Sequence, residues 1–278
     1  MKIVISAGGT GGHIYPALAI MEKIKKEDKN TEVLYIGTYN RMESELIPSM
    51  GINYKSLKII GFNRKKILSN FKTLNLFLKA IKQAKKYLLE FKPDIVIGCG
   101  GYVTAPVIYA ANKLGIKTFI HEQNSVVGMS NKFLSRYATK IGVSFKETLN
   151  DFPKDKVVLT GNPCGDHATK VKGASKKEFG LSDKKKLVLI AMGSLGSRTI
   201  NDKIVSYLND FDDAYEVLFV TGKAYYDKVK NLKTKANIKI VPYINELVRV
   251  LKITDVFAKG KLMIENAQIK IKGTFEGV

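Results

Sequence analysis

The chain has 278 residues, only two cysteines (Cys99 and Cys164), and 46 Lys+Arg against 25 Asp+Glu, a formal charge of +21. This length buries a large core in one or two domains, and two distant cysteines argue against a disulfide scaffold and fit a reducing compartment. No run approaches the roughly 18 apolar residues of a membrane span, no charged-then-apolar leader opens the chain, and the basic excess calls for anionic partners: nucleic acid, anionic lipid or phosphorylated substrates.

In chain order, short apolar runs predict strands over Lys2–Ser6, Glu32–Ile36, Ile95–Gly98, Thr118–His121, Lys140–Val143 and Val157–Thr160. Helical periodicity between them predicts helices over Pro16–Lys26, Glu43–Met50, Asn70–Phe91, Ala105–Leu114 and Asn131–Tyr137. Short apolar runs alternating with helical segments mark a mostly parallel, doubly wound sheet. The pattern restarts with strands over Leu187–Ala191, Glu216–Val220 and Ile238–Val241, and helices near Asn201–Asn209, Tyr225–Leu232 and Asn245–Lys252. Between the two series, Pro163 in "GNPCGD" is the hinge candidate, because proline fixes its own backbone and restricts the residue before it.

Between Lys55 and Lys92 stand eleven Lys/Arg and a single acid, Glu90, interleaved with aliphatic and aromatic residues. Such mixing suits a membrane surface, where apolar groups enter the interface and cations meet headgroups. The helix itself reads as a core-facing stripe with a solvated lysine face. The preceding "IIGFNRKK", with Ile59, Ile60, Phe62, Arg64, Lys65 and Lys66, reads as the membrane-associating segment.

Three glycine-rich turns, "ISAGGTGGH", "VIGCGGYVTAP" and "LIAMGSLGS", each follow a strand and lead toward a helix. In an open α/β sheet ligands bind at the carboxyl ends of strands, and glycine lets backbone N–H groups approach a phosphate. Pro16 is read into the first turn of its helix, where a missing N–H costs nothing. Neither the dinucleotide fingerprint nor a phosphate-loop motif with lysine is present, which disfavours a nicotinamide dehydrogenase or P-loop ATPase. His13 follows the first glycine turn at a helix start, placed to take a proton. "HEQN" puts Glu122 and Asn124 at a strand end and lacks the second histidine of a zinc motif. Asp210, Asp212 and Asp213 mimic a metal-binding D-x-D but follow a helix and read as a solvated turn. No metal or cofactor is expected.

Five segments in order, "GGTGGHIYPALAI", "GCGGYVTAPVIYAA", "HEQNSVVGMSNKFLSR", "TGNPC" and "GSLGSRTIN", resemble the signature segments of the MurG-type peptidoglycan glycosyltransferases over about residues 1–256. The resemblance implies an α/β GT-B fold, two Rossmann-like doubly wound lobes with a cleft between them. Residues 1–163 would form the acceptor and membrane-associating lobe, and 164–278 a partial UDP-sugar lobe with an atypical tail from about 257. It implies inverting transfer of N-acetylglucosamine from UDP-N-acetylglucosamine to lipid I, giving lipid II, by a peripheral protein at the cytoplasmic face of the membrane, with an anionic membrane surface as partner and no nucleic acid. By motif, Thr10, Gly11, Gly12, Asn124, Ser194 and Ile244 match donor-contacting positions. His13 matches the histidine that assists acceptor activation, and Tyr102 and Glu122 match polar cleft residues. Gly165 stands where some relatives carry arginine, and Met192 where glycine is usual. After "PYINELVRVLKITDV" the family continues with a glycine-containing loop, a ribose-binding Glu and a donor-contacting Gln, where this chain reads "FAKGKLMIENAQIKIKGTFEGV". The second lobe therefore reads as incomplete, through truncation or a shifted frame. The alternative is a non-catalytic membrane-surface protein that binds lipid-linked pyrophosphate.

Overall fold

The computed structural model describes residues 1–61, 70–192, 196–244 and 246–258, and divides into two compact units, Met1–Thr169 and Lys170–Val278. The boundary falls beyond Pro163, inside a short helix over Gly165–Lys170.

In the first unit, β1 (Lys2–Ser6), β2 (Glu32–Thr38), β3 (Asn53–Leu57), β4 (Ile95–Gly98), β5 (Lys117–Glu122), β6 (Lys140–Val143) and β7 (Val157–Leu159) form one sheet. All its pairings are parallel, in the order β3-β2-β1-β4-β5-β6-β7. Successive side chains on a strand face opposite ways, so a strand buried on both faces must be apolar throughout. Thus Ile3 and Ile5 join one core with Tyr35 and Ile97, while Val4 joins the other with Leu34, Ile36 and Val96. The first core is covered by α1 (Gly11–Glu27) and α2 (Met42–Ser49), the second by α3 (Asn70–Phe91), α4 (Thr104–Lys113) and α5 (Met129–Leu134).

On α3, Ala80, Ala84 and Leu88 recur every fourth residue and are buried, as a core-facing stripe requires. Leu74 and Leu78 lie off that stripe and are 48% and 58% exposed. Ile59 is 2% exposed and packs into the α3 core, so it is not a membrane-facing residue; the apolar character of "II" serves the interior at Ile59 and the surface only at Ile60. Phe62, Arg64, Lys65 and Lys66 lie outside the described residues.

The chain lays down β1, β2 and β3 in one direction, then returns past β1 to place β4 on its other side, with Ile3 opposite Ile95 and Ser6 opposite Gly98. The loops leaving β1 and β4 therefore diverge at the topological switch point, where open α/β sheets bind ligands. Here the two loops touch backbone to backbone. Gly8 N–H donates to Gly100 O at 3.3 Å, and a Cβ on Gly101 (φ +84°) would stand 2.3 Å from Gly8 O.

In the second unit, β8 (Lys186–Ala191), β9 (Tyr215–Val220), β10 (Ile238–Val241) and β11 (Val256–Ala258) pair in parallel in the order β10-β9-β8-β11. Helices α6 (Gly165–Lys170), α7 (Arg198–Tyr207), α8 (Lys223–Val229) and α9 (Leu247–Leu251) complete the described α-helices, α6 spanning the unit boundary. Phe257 and Ala258, assigned by the sequence to an atypical tail, belong to β11 and pair with β8.

Gly101→Ala meets both a positive φ and a backbone wall, whereas Gly115 (φ +72°) has open space around it. Gly115→Ala is expected to cost about 1 kcal/mol and Gly101→Ala at least about 2 kcal/mol more. Urea unfolding read by amide exchange in β1 and β4 measures the difference, and equal costs would sink the packing argument.

Candidate functional site

The first glycine loop spends two of its amides on neighbouring elements. Gly8 N–H goes to Gly100 O, and Gly9 N–H donates to Glu43 Oε2 at 3.1 Å. Glu43 is fully buried on α2; its Oε1 also accepts the Thr38 N–H (3.0 Å) and hydroxyl (2.7 Å). The carboxylate lies so close behind the loop that a Cβ on Gly8 would be 2.3 Å from Oε1. Sequence reasoning missed this residue, because a glutamate in the first turn of a helix is ordinary and nothing local announces its burial.

The next two amides, of buried Gly11 and exposed Gly12, are used differently. Thr10 caps α1 without a side-chain bond, its carbonyl accepts from His13 and Ile14, and the first turn holds no acid. Among the described residues no acceptor meets the N–H groups of Gly11 and Gly12. Unpaired donors at the positive end of a helix 17 residues long are the kind of group that favours negative charge.

His13 is the third residue of that helix and half-buried. Its Nδ1 lies 3.1 Å from Gly8 O. A carbonyl only accepts, so Nδ1 carries a proton, and in the neutral ring Nε2 holds the lone pair. The ring rests on Gly100, where a Cβ would be 2.7 Å from Cδ2 and 3.1 Å from Nε2.

The end of β5 supplies the third side. Glu122 is buried, and both oxygens are engaged: Oε1 accepts Asn124 N–H (3.0 Å) and Nδ2 (2.9 Å), Oε2 accepts Gly128 N–H (2.9 Å) and Asn131 Nδ2 (2.9 Å). Four donors on one carboxylate make Glu122 the anchor of the loop 124–131, with exposed Asn124 on its rim. Gln123, passed over in the sequence, donates Nε2 to Gly12 O (3.0 Å) and Cys99 O (2.7 Å). Buried His121 brings Nε2 within 3.1 Å of Thr160 Oγ1 and 3.2 Å of Gly161 O. Burial lowers its pKa from the ordinary 6.5, against the opposing pulls of the Gly161 carbonyl, Gln123 and Glu122. Tyr102, half-buried, packs on the α3-side core with its ring against Gly61.

Thus Thr10, Gly11, Gly12 and His13 gather with Asn124 and the Glu122 anchor at the carboxyl ends of the adjacent strands β1, β4 and β5. Pro16 departs from expectation: α1 begins at Gly11, which places Pro16 inside the helix rather than in its first turn. In the second unit Ser194 lies outside the described residues. Ile244 packs against the core beneath α9. There the loop after β8 repeats the device of the first unit, since a Cβ on Gly196 (φ +68°) would be 2.2 Å from Thr221 O, which also accepts Asn201 Nδ2 at 2.7 Å. Asp212 closes its turn onto the Ala214 N–H, and Asp213 pairs with Lys235.

Two Rossmann-like units, each built on a parallel sheet, with a glycine-rich loop at the switch point of the first, are the class of fold that GT-B glycosyltransferases have. The chain belongs to the glycosyltransferase family 28 proteins, whose N-terminal domain matches residues 3–143. It is 49% identical over 257 residues to transferase 1 of Bacillus cereus named UDP-N-acetylglucosamine–N-acetylmuramyl-(pentapeptide) pyrophosphoryl-undecaprenol N-acetylglucosamine transferase, covering 90% of this chain and 71% of that one. The transferase of the same name from Bacillus subtilis is 47% identical over 266 residues, covering 92% and 72%. Among solved structures, MurG of Acinetobacter baumannii superposes with a TM-score of 0.65 at 28% identity, over 93% of this chain and 73% of that one. A UDP-GlcNAc 2-epimerase from Neisseria meningitidis, at 17% identity and a TM-score of 0.62, shares the fold.

Glu122→Gln turns one acceptor oxygen into a donor facing other donors, and should free the loop at a cost of about 3 kcal/mol. Hydrogen exchange is expected to show the Asn124 and Gly128 amides losing protection while β1 and β4 keep theirs; unchanged exchange would remove Glu122 as the anchor. For His121 the unfolded chain binds a proton at about 6.5 and the folded chain only at lower pH. Stability contributed by the neutral ring is therefore present above pH 6.5 and lost as pH falls below it. His121→Gln should flatten the fall in urea midpoint between pH 7 and 5, and a slope identical to the parent would refute this.

Proposed function

We propose that the first unit holds lipid I: the free amides of Gly11 and Gly12, matched by motif to donor-contacting positions, serve its diphosphate instead, and His13 Nε2 takes the proton of the attacking hydroxyl. The observation that carries this reading is the pairing, at one switch point, of unsatisfied helix-end donors with an imidazole whose tautomer leaves Nε2 basic. The reaction is the transfer of N-acetylglucosamine from UDP-N-acetylglucosamine: the acceptor oxygen bonds to the anomeric carbon, the bond to UDP breaks, and His13 keeps the hydroxyl proton. Amide donors neutralise phosphate charge here without calling on a metal. Asn124 on the loop rim and the second unit, with Ser194 and Ile244, take the donor side. Tyr102 and Glu122 shape the acceptor side, Glu122 through the loop it anchors.

A lipid-linked acceptor brings the protein to a bilayer. No helix among the described residues is long and apolar enough to cross one. The supporting surface is on α3 and α5: Phe77 meets Phe133 edge-on at 6.5 Å, joining exposed Leu74 and Leu78 to exposed Met129 and Phe133, with the Arg136 guanidinium over Phe133. Apolar groups beside lysines fit peripheral binding to an anionic leaflet, and the cytoplasmic face is where a UDP-sugar is supplied.

Purified chain given UDP-N-acetylglucosamine and lipid I in phosphatidylglycerol vesicles is expected to yield lipid II, and His13→Ala to slow it by about 10²-fold or more with the fold intact. Vesicle-bound lipid I without transfer would leave a binding protein and overturn the catalytic reading. Leu74→Ser with Leu78→Ser should reduce co-sedimentation with the same vesicles; undiminished binding would remove this face from the proposal.

A further inference from the structure

Gln123 joins three elements through one amide group. Pro16 has no N–H, so the carbonyl four residues earlier, Gly12 O, loses the bond an α-helix would give it. Gln123 Nε2 fills that vacancy at 3.0 Å, and its second hydrogen goes to Cys99 O at 2.7 Å, at the entrance of the other glycine loop. The amide cannot turn over, because its oxygen would then face two carbonyl oxygens. That oxygen is buried and makes no hydrogen bond of ordinary geometry among the described residues; its one favourable neighbour is the His121 ring, whose charged form it favours, so the two donated bonds must offset most of its burial. The proline inside α1 and the glutamine at the end of β5 are thus two halves of one tie. One removes a local partner, and the other replaces it with a partner that also grips the neighbouring strand.

We propose that Gln123 is a positioning residue, which holds the first turn of α1 at a fixed separation from the Gly100–Gly101 loop so that the Gly11 and Gly12 amides meet the diphosphate while His13 meets the attacking hydroxyl. This rests on the acceptor site proposed above. A purely structural role would be repaired by any new partner for Gly12 O, and Pro16→Ala supplies one, a backbone N–H at residue 16. The separation between loops would not be repaired, because the Cys99 end stays empty.

The test uses the full chain, inorganic pyrophosphate titrated by calorimetry, and amide exchange in α1. Gln123→Leu is expected to weaken pyrophosphate binding about tenfold and to speed exchange at His13 and Ile14. Pro16→Ala alone should leave binding near that of the parent. In the double variant Gln123→Leu with Pro16→Ala, exchange protection should return while the affinity stays low. Recovery of affinity in the double variant, or parental affinity in Gln123→Leu, would reduce Gln123 to a structural role. If the parent chain itself fails to bind pyrophosphate, the acceptor-site reading falls and this proposal with it. If Gln123→Leu does not fold, Pro16→Ala with Gln123→Glu decides: the carboxylate repels Cys99 O while Gly12 O is served by the new N–H, and parental affinity there overturns the proposal.

Discussion

The site depends on a contact made without side chains. Gly8 and Gly101 approach so closely that neither loop could carry even a methyl group at Gly101, and the hydrogen bond from Gly8 to Gly100 fixes one loop on the other. Once the loops are pressed together, the amides that could serve each other or Glu43 are used, and those of Gly11 and Gly12 are left over. The binding surface is what remains after the loops have satisfied one another.

Two buried carboxylates maintain this arrangement, and each works as an acceptor of N–H groups. Glu43 lies behind the first glycine loop and turns the Gly9 amide inward. Glu122 gathers four donors from the loop after β5. A buried carboxylate costs several kcal/mol unless its oxygens are met by donors, so both loops are held by groups that lose heavily if the loops move.

Much of the fold was legible in the sequence, because parallel strands covered on both faces are continuous apolar runs. Lys2–Ser6, Ile95–Gly98, Lys140–Val143 and Ile238–Val241 could be bounded from composition alone. β3 was not, since "NYKSL" sits at the sheet edge, pairs only with β2 and needs little apolar surface. α1 was placed five residues late, because glycine discourages helix locally while the loop contacts impose one. At the site, His13 and the glycines were visible as residue types beside strand ends. Glu43 and Gln123 were invisible, because their partners, from Gly9 to Cys99, are brought to them only by the sheet. The membrane-facing residues were misassigned at Ile59 for a related reason: one residue of a hydrophobic pair points inward, and periodicity near a strand end does not say which.

The order of strands also has a kinetic meaning. β1 lies at the very start of the chain, yet its partner on the site-bearing side, β4, begins at Ile95, and the Lys2 N–H is held by the carboxylate of Asp94. Contacts that span most of a hundred residues must close a long loop before any of their energy is returned, and such pairings form slowly. The neighbours β1, β2 and β3, joined through α1 and α2, can collapse early, but the glycine loop they carry has nothing to press against until β4 arrives. A nascent chain therefore carries an exposed strand edge and an unformed glycine-loop contact through most of the synthesis of its first unit.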